Sequence, residues 1–129
     1  MKRLLVAAII LAPAGLSVPA GAAPAAQAHP GYSGPCHAAV DRYFPPAARA
    51  RMHYVVNRES RGLPHVRNPR ALGRGGRLGR ASGCAQLVPG YAGPYLRAAG
   101  CSNLLDADCN IRAAAALYRT AGWRPWAVR

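Results

Sequence analysis

This 129-residue chain has few acidic residues, one lysine and, after its N-terminus, no long apolar run. Because no later segment approaches about 20 apolar residues, stable membrane insertion is not expected. No internal repeat and no zinc-finger, basic-zipper or RNA-binding signature occurs, so nucleic acid is not an expected partner. The absence of Cys-x-x-Cys and of histidine pairs at ligand spacing argues against zinc, and we expect neither a metal nor a cofactor.

Arginine carries almost all of the positive charge. Seventeen basic residues stand against four acidic ones, a formal net charge of +13, and Lys2 is the only lysine. A GC-rich codon bias explains the preference for arginine over lysine but not the shortage of acids. The charge favours attraction to an anionic polymer such as cell wall, with binding to a membrane surface as the alternative.

The N-terminus has the pattern of an export signal. Lys2 and Arg3 precede eleven apolar residues, 4–14, and small residues follow, with candidate cleavage motifs at 20–22 and 26–28. A retained N-terminal anchor is the alternative interpretation. We expect a secreted protein with a signal peptide at residues 1–28, a flexible segment at 29–35 and one domain at 36–129.

The four cysteines agree with export, since an even count in a short secreted chain indicates disulfides. Cys101 and Cys109 are close in sequence and favour a bond that clips one loop. Cys36 would then pair with Cys84. Four cysteines allow three connectivities, and the spacing alone leaves all three open.

The pattern of apolar residues predicts a small all-α domain, because no segment alternates as a strand. A first helix is expected at 35–43 and a second at 47–60, followed by a loop at 61–82 and only short helices within 83–95. A last helix begins near Asp108 or Asn110, either of which is a candidate cap, and ends at Gly122.

Glu59 is the only glutamate, and it follows the apolar spacing of the second helix. Met52, Val55 and Val56 take the i, i+3 and i+4 positions, and Glu59 takes i+7 on the same stripe. Partial desolvation there would raise the pKa of its carboxyl and suit it to general acid catalysis. Solvation at a fraying helix end is the alternative.

Three short blocks occur in one order along the chain. The first reads ESRG from Glu59, the second ASGCAQL from Ala81, and the third DCNIRAAAALY from Asp108, ending in GWRPW. Together they resemble the lysozyme-like domain of soluble lytic transglycosylases, in particular the small secreted versions of actinobacteria and their phages. The resemblance covers residues 36–126.

The resemblance implies a mostly helical fold around a glycan cleft, with peptidoglycan glycan strands as substrate. Glu59 corresponds to the family glutamate that protonates the glycosidic oxygen and then acts as base, so that the muramic acid 6-hydroxyl forms a 1,6-anhydro product. Ser60 would orient the site. Gly83 and Gln86 match the glycine-x-x-glutamine block, with Gln86 as a sugar contact, and Tyr118 matches an aromatic near substrate or Glu59. A monomer is expected.

The residue inventory agrees with this chemistry. Glycoside hydrolysis ordinarily uses two carboxylates, and only Asp41, Asp106 and Asp108 remain as partners for Glu59. Asp106 and Asp108 lie beside a helix start, where capping is the simpler role. The alternatives are a lysozyme-type muramidase and a non-catalytic cationic protein that binds wall or membrane through charge alone.

Some residues remain open. Four aromatic residues either stack on sugars or pack the core: Tyr91, Tyr95, Trp123 and Trp126. The sequence assigns no chemistry to His53 or His65. The loop at 69–82 is longer and richer in arginine than the family pattern, and Cys84 stands where an apolar residue is common. Its residues 70–80 are expected to be a solvated excursion, with a basic lip over an anionic substrate or wall polymer as the alternative.

Overall fold

The computed structural model describes residues 31–72 and 79–127, and the predicted signal peptide lies outside them. They form a small, mostly helical domain with a two-stranded sheet and two disulfides, which confirms the predicted fold class. None of the described helices is long and apolar enough to cross a membrane. The elements are α1 (Pro35–Tyr43), α2 (Pro46–Ser60), β1 (Arg67–Leu72), β2 (Arg80–Ser82), α3 (Pro89–Ala99), α4 (Ala107–Ala121) and a 3₁₀ turn (Arg124–Trp126).

Helix α4 forms the centre of the core. It packs against both α1 and α3, and α1 packs against α2. Ile111, Ala114 and Leu117 are buried on α4, as are the smaller Ala113 and Ala115. On α2 the predicted stripe is confirmed, since Met52, Val55 and Val56 are all fully buried. Burial of each such aliphatic side chain contributes about 1.5–3 kcal/mol.

The start of α4 differs from the prediction. Asp106 is the N-cap, and its Oδ1 accepts a 2.7 Å hydrogen bond from the backbone N–H of Cys109. Asp108 and Asn110 were therefore wrong as caps: Asp108 lies in the first turn and accepts a hydrogen bond from Arg42, while Asn110 is buried. The end of the helix was right, because the N–H of Gly122 bonds to the carbonyl of Tyr118.

Helix α3 is longer than the sequence predicted. It runs for 11 residues although Pro94 lies inside it. Pro94 removes the N–H that would bond to the carbonyl of Gly90, a loss that usually breaks a helix. Here Pro89 begins the helix, fully buried Ala92 belongs to the core and the whole element packs on α4. Tertiary packing thus outweighs the local preference to break.

The segment predicted as a loop at 61–82 contains the antiparallel pair β1–β2. Arg67 pairs with Ser82 and Leu72 with Arg80, with an irregularity between them. Ser82 also exchanges two backbone hydrogen bonds with Leu87, at 3.0 and 3.1 Å. The strands carry no alternating sequence pattern, so the pairing was not predicted. Residues 73–78, within the predicted solvated excursion, lie outside the described residues.

Two disulfides link the elements, in the expected pairs. Cys36 on α1 bonds to Cys84 after β2, and Cys101 bonds to Cys109 on α4. They close separations of 48 and 8 residues respectively. Two disulfides in so short a chain are typical of proteins that fold outside the cytosol.

Asn110 on α4 forms hydrogen bonds that hold the segment after β2 against this helix. Its Nδ2 donates to the carbonyls of Ser82 and Leu104, at 3.0 and 2.9 Å, and its Oδ1 accepts from the N–H of Ala85 at 2.9 Å. Gly83 lies inside this arrangement with a φ of +78°, and a Cβ there would overlap both the Asn110 amide and the Leu104 carbonyl. Only glycine fits this position.

We predict that Gly83→Ala lowers the free energy of unfolding by about 3 kcal/mol or more. Overpacking a closed site costs about 1–3 kcal/mol, and the left-handed backbone adds about 1–2 kcal/mol. Gly100→Ala is the matched control, because Gly100 has a φ of +66° but no atom within 4 Å of an added Cβ. Urea unfolding measures both variants. Equal losses would contradict the tight approach at Gly83.

Candidate active site

A cavity of about 620 Å³, here the Glu59 cavity, opens between the end of α2, the segment after β2 and helices α3 and α4. Its volume is typical of a site that holds a small ligand or a short piece of polymer. Its walls combine one carboxylate, one amide and one guanidinium with apolar and aromatic side chains. The lining includes Glu59, Gln86, Leu87, Val88, Tyr91, Leu117, Arg124, Pro125 and Trp126.

Glu59 lies one residue before the end of α2. The helix ends in order at Arg61, whose φ of 56° is left-handed and whose N–H bonds to the carbonyl of Asn57. The fraying end considered from sequence is therefore absent at this helix. The Glu59 side chain is 26 % exposed, so it lies at the edge of the buried stripe rather than within it.

Arg58 contacts the Glu59 carboxylate directly. Its Nε and Nη2 both donate to Oε1 of Glu59. Among the described side chains none donates to Oε2 of Glu59. One carboxylate oxygen is thus held by a neighbour on the same helix, and the other is the one available to a ligand in the cavity.

Gln86 lies across the cavity from α2, in a left-handed conformation with a φ of 51°. Its Nε2 donates to the carbonyls of Gly83 and Val66, at 2.9 and 3.1 Å. Since only the NH₂ end of an amide can donate to two carbonyls, the orientation of the side chain is fixed. Its Oε1 has no hydrogen-bond partner within the described residues.

The other three residues expected at the site have different surroundings. The hydroxyl of Ser60 is buried and donates to the carbonyl of Val56 at 3.1 Å. Gly83 is packed against Asn110. The Tyr118 ring packs against Phe44 and Trp123, while the cavity wall is formed by its neighbour Leu117. The structure therefore brings Glu59 and Gln86 together and assigns the remaining three to the frame around them.

The aromatic residues divide into two groups. Tyr91 is 48 % exposed and lies on the cavity wall. Trp126 also lines the cavity but is buried, and its Nε1 donates to the carbonyl of Ala85 at 3.0 Å. Trp123 packs on Tyr118 and lies under the guanidinium of Arg51. Tyr91 is thus the exposed aromatic ring of this cavity.

The three remaining carboxylates are engaged away from the cavity. Asp41 is buried and bonds to His53. Asp106 caps α4. Asp108 accepts hydrogen bonds from Arg42 at 2.6 Å and from the hydroxyl of Tyr43 at 2.8 Å. Because the chain has four acidic residues in all, Glu59 is the one acidic side chain of the cavity.

A buried chain of titratable groups joins α1 to α2, and the sequence analysis missed it. Nε2 of His53 lies 2.9 Å from Oδ1 of Asp41, and Nδ1 of His53 lies 2.9 Å from Nδ1 of His37. Tyr32 packs against both imidazole rings. The i, i+4 spacing of His37 and Asp41 on the predicted helix α1 would have placed them on one face.

The atoms that face one another along the series Asp41–His53–His37 indicate which ring nitrogens carry hydrogen. With hydrogen on Nε2 of His53, which faces the carboxylate, Nδ1 of His53 accepts a hydrogen bond from Nδ1–H of His37. Burial lowers the pKa of His37, the neighbouring His53 lowers it further, and Asp41 opposes both. A proton on each imidazole would direct two N–H groups at one another across 2.9 Å.

No family model, curated protein or solved structure matches the chain in comparisons with known proteins. The resemblance to lytic transglycosylases therefore rests on the three sequence blocks alone. Among residues 31–72 and 79–127, no group of three or more His, Cys, Asp or Glu side chains is placed to hold a metal ion.

We predict that acid weakens the fold through His37. The pKa of His37 is lower in the folded protein than in the unfolded chain, where it is about 6.5. The contribution of His37 to the free energy of unfolding is therefore complete above about pH 6.5 and is lost as the pH falls through the folded pKa. His37→Asn keeps a polar group near Nδ1 and removes the titration. Between pH 7 and 5, the free energy of unfolding of this variant should change less steeply with pH than that of wild type, by up to about 1.4 kcal/mol per pH unit. That difference corresponds to the binding of one proton on unfolding.

Exposed His65 supplies the control, since His65→Asn removes an imidazole of the same chain outside the buried cluster. This variant should keep the wild-type slope. Equal slopes for His37→Asn and wild type would show that the buried histidines do not cause the acid sensitivity.

Proposed function

We propose that this protein cleaves the glycan strands of peptidoglycan as a lytic transglycosylase, with Glu59 as its acid and base. The observation that carries the proposal is that Glu59 is the one carboxylate of a cavity of about 620 Å³ that is also lined by the half-exposed Tyr91 ring. The resemblance of the sequence blocks supplies the substrate class, the β-1,4 bond between N-acetylmuramic acid and N-acetylglucosamine. The net charge of +13 supports attraction to an anionic wall.

Glu59 would act through Oε2, since Arg58 holds Oε1. Protonated Glu59 gives its proton to the glycosidic oxygen as the bond to the anomeric carbon breaks. The resulting carboxylate then takes the proton of the muramic acid 6-hydroxyl as that oxygen attacks the anomeric carbon. A 1,6-anhydro ring closes, Glu59 regains its proton, and no water is consumed.

The positions of the acids favour this route over hydrolysis. Both forms of ordinary glycoside hydrolysis need a second carboxylate within about 10 Å of the acid, flanking the same bond. Asp41, Asp106 and Asp108 are each committed to other partners outside the cavity. An intramolecular hydroxyl needs no such partner, because its position on the substrate supplies proximity.

Binding through charge alone is the rival explanation, and it makes no use of the Glu59 cavity. A cationic wall-binding or membrane-binding protein would keep its function when one cavity carboxylate is neutralised. The role of Glu59 therefore separates an enzyme from a binding protein.

Glu59→Gln is expected to lower the rate of release of soluble fragments from peptidoglycan by about 10²-fold or more, the usual contribution of a general acid–base group. Binding to insoluble peptidoglycan should be retained, because the shape and the arginines remain. A pull-down assay measures binding, and circular dichroism confirms the fold.

Asp108→Asn is the matched control. It also removes one carboxylate, but from a surface contact with Arg42 and Tyr43 rather than from the cavity. This variant should release fragments at nearly the wild-type rate. Near-wild-type turnover by Glu59→Gln would overturn the assignment, whatever the control does.

A further inference from the structure

A second cavity, of about 330 Å³, is lined by the hairpin, by α3 and by the loop before α4, and is here called the Arg67 cavity. It shares no lining residue with the Glu59 cavity. Arg67 and Arg80 from the hairpin line it, together with Ser102 and Asn103 from the loop that precedes α4. Leu96 and Leu104 form part of its apolar wall.

The hairpin register places both arginines on one face. Arg67 is the cross-strand partner of Ser82, and directly opposite residues of an antiparallel pair share a face. Arg80 lies two residues from Ser82 on the same strand, so it shares that face as well. All three side chains line the cavity, as this register requires.

Among the residues that the structure describes, no ion pair includes Arg67 or Arg80. The chain has four acidic residues, and each is bound elsewhere. Asp41 bonds to His53, Glu59 to Arg58 and Asp108 to Arg42, while Asp106 accepts from a backbone N–H. The Arg67 cavity therefore carries two guanidinium groups that form no ion pair with a described acidic side chain.

Neutral donors complete the lining. Asn103 accepts a hydrogen bond from the N–H of Leu105 through Oδ1, at 3.0 Å, so its NH₂ group remains as a donor. Ser102 adds an exposed hydroxyl. Guanidinium groups beside neutral hydrogen-bond donors, with no acidic side chain in the lining, are typical of a site that binds an oxyanion.

We propose that the Arg67 cavity binds a phosphate group. A carboxylate has two oxygens, both in one plane, and carries a single negative charge. A phosphate presents oxygens outside any one plane, so that a second fork from the neighbouring strand also finds acceptors. The volume exceeds that of the ion alone, which leaves room for a small polyol attached to it.

The test is a titration of isotope-labelled protein followed by NMR, at pH 7.5 and constant ionic strength. The probes are inorganic phosphate, glycerol 3-phosphate and the carboxylate N-acetyl-D-alanine. Phosphate should produce saturable shifts at the amides of Ser82, Ser102 and Asn103. The double variant Arg67→Gln, Arg80→Gln should bind at least about tenfold more weakly, since loss of even one charge-assisted hydrogen bond has an effect of that size.

Arg97→Gln combined with Arg119→Gln is the control, since it removes two exposed charges from α3 and α4 outside this cavity. It should leave the affinity unchanged. Equal weakening by both double variants, or shifts that never saturate, would show general charge attraction and overturn the site. Carboxylate binding as tight as phosphate binding would overturn the choice of ligand.

Two further titrations show whether the bound group is a free phosphate ion or a phosphate ester, and whether phosphate binding is independent of the proposed glycan cleavage. Tighter binding of glycerol 3-phosphate than of inorganic phosphate supports a phosphate ester in the cavity, and equal binding supports the free ion. Glu59→Gln should bind phosphate like wild type, so the phosphate site stands or fails apart from the proposed enzyme activity.

Discussion

The three hydrogen bonds of Asn110 determine where the segment after β2 lies. The Asn110 amide is fully buried and both of its ends are hydrogen-bonded, so it fixes the orientation of its partners, which apolar packing alone does not. Loss of one partner would leave a buried polar group unpaired, at a cost of about 1–3 kcal/mol. Through Ser82 and Ala85 this amide ties the hairpin to the central helix. It also closes the space at Gly83 that only a glycine can occupy. The position of Gln86 in the cavity wall follows from that attachment.

Helix α2, which forms the other side of the Glu59 cavity, is connected to the segment after β2 through α1. Cys84 bonds to Cys36 on α1, and α1 is joined to α2 by the buried contacts of His37 and Asp41 with His53. Helix α2 carries Glu59 at its far end. A covalent bond and a chain of buried hydrogen bonds therefore fix the distance between the two sides of the Glu59 cavity. Preorganisation of this kind is what a positioned acid requires, because small displacements reduce its rate contribution.

The helices could be predicted where local spacing and tertiary burial agree, as for Val55 on α2 and Ile111 on α4. The length of α3 could not be predicted, because packing on α4 overrides the effect of Pro94. The hairpin could not be predicted either, because its strands show no alternation of apolar and polar residues in the sequence. Glu59 and Gln86 were found from sequence blocks. The contact between His37 and His53 was missed because residues 16 apart in sequence meet only when α1 packs against α2. Motif matching also could not tell a side chain that lines a cavity from one that builds its frame.

Mass spectrometry of the products from purified peptidoglycan tests the central claim most directly. Attack by the muramic acid 6-hydroxyl adds no water, so the fragments should end in 1,6-anhydro-N-acetylmuramic acid, about 18 Da lighter than hydrolysed ends, the mass of the water that intramolecular attack omits. A finding of these anhydro ends is the predicted result. Fragments with only free reducing ends would contradict the transglycosylase account and show that water is the nucleophile at the Glu59 cavity.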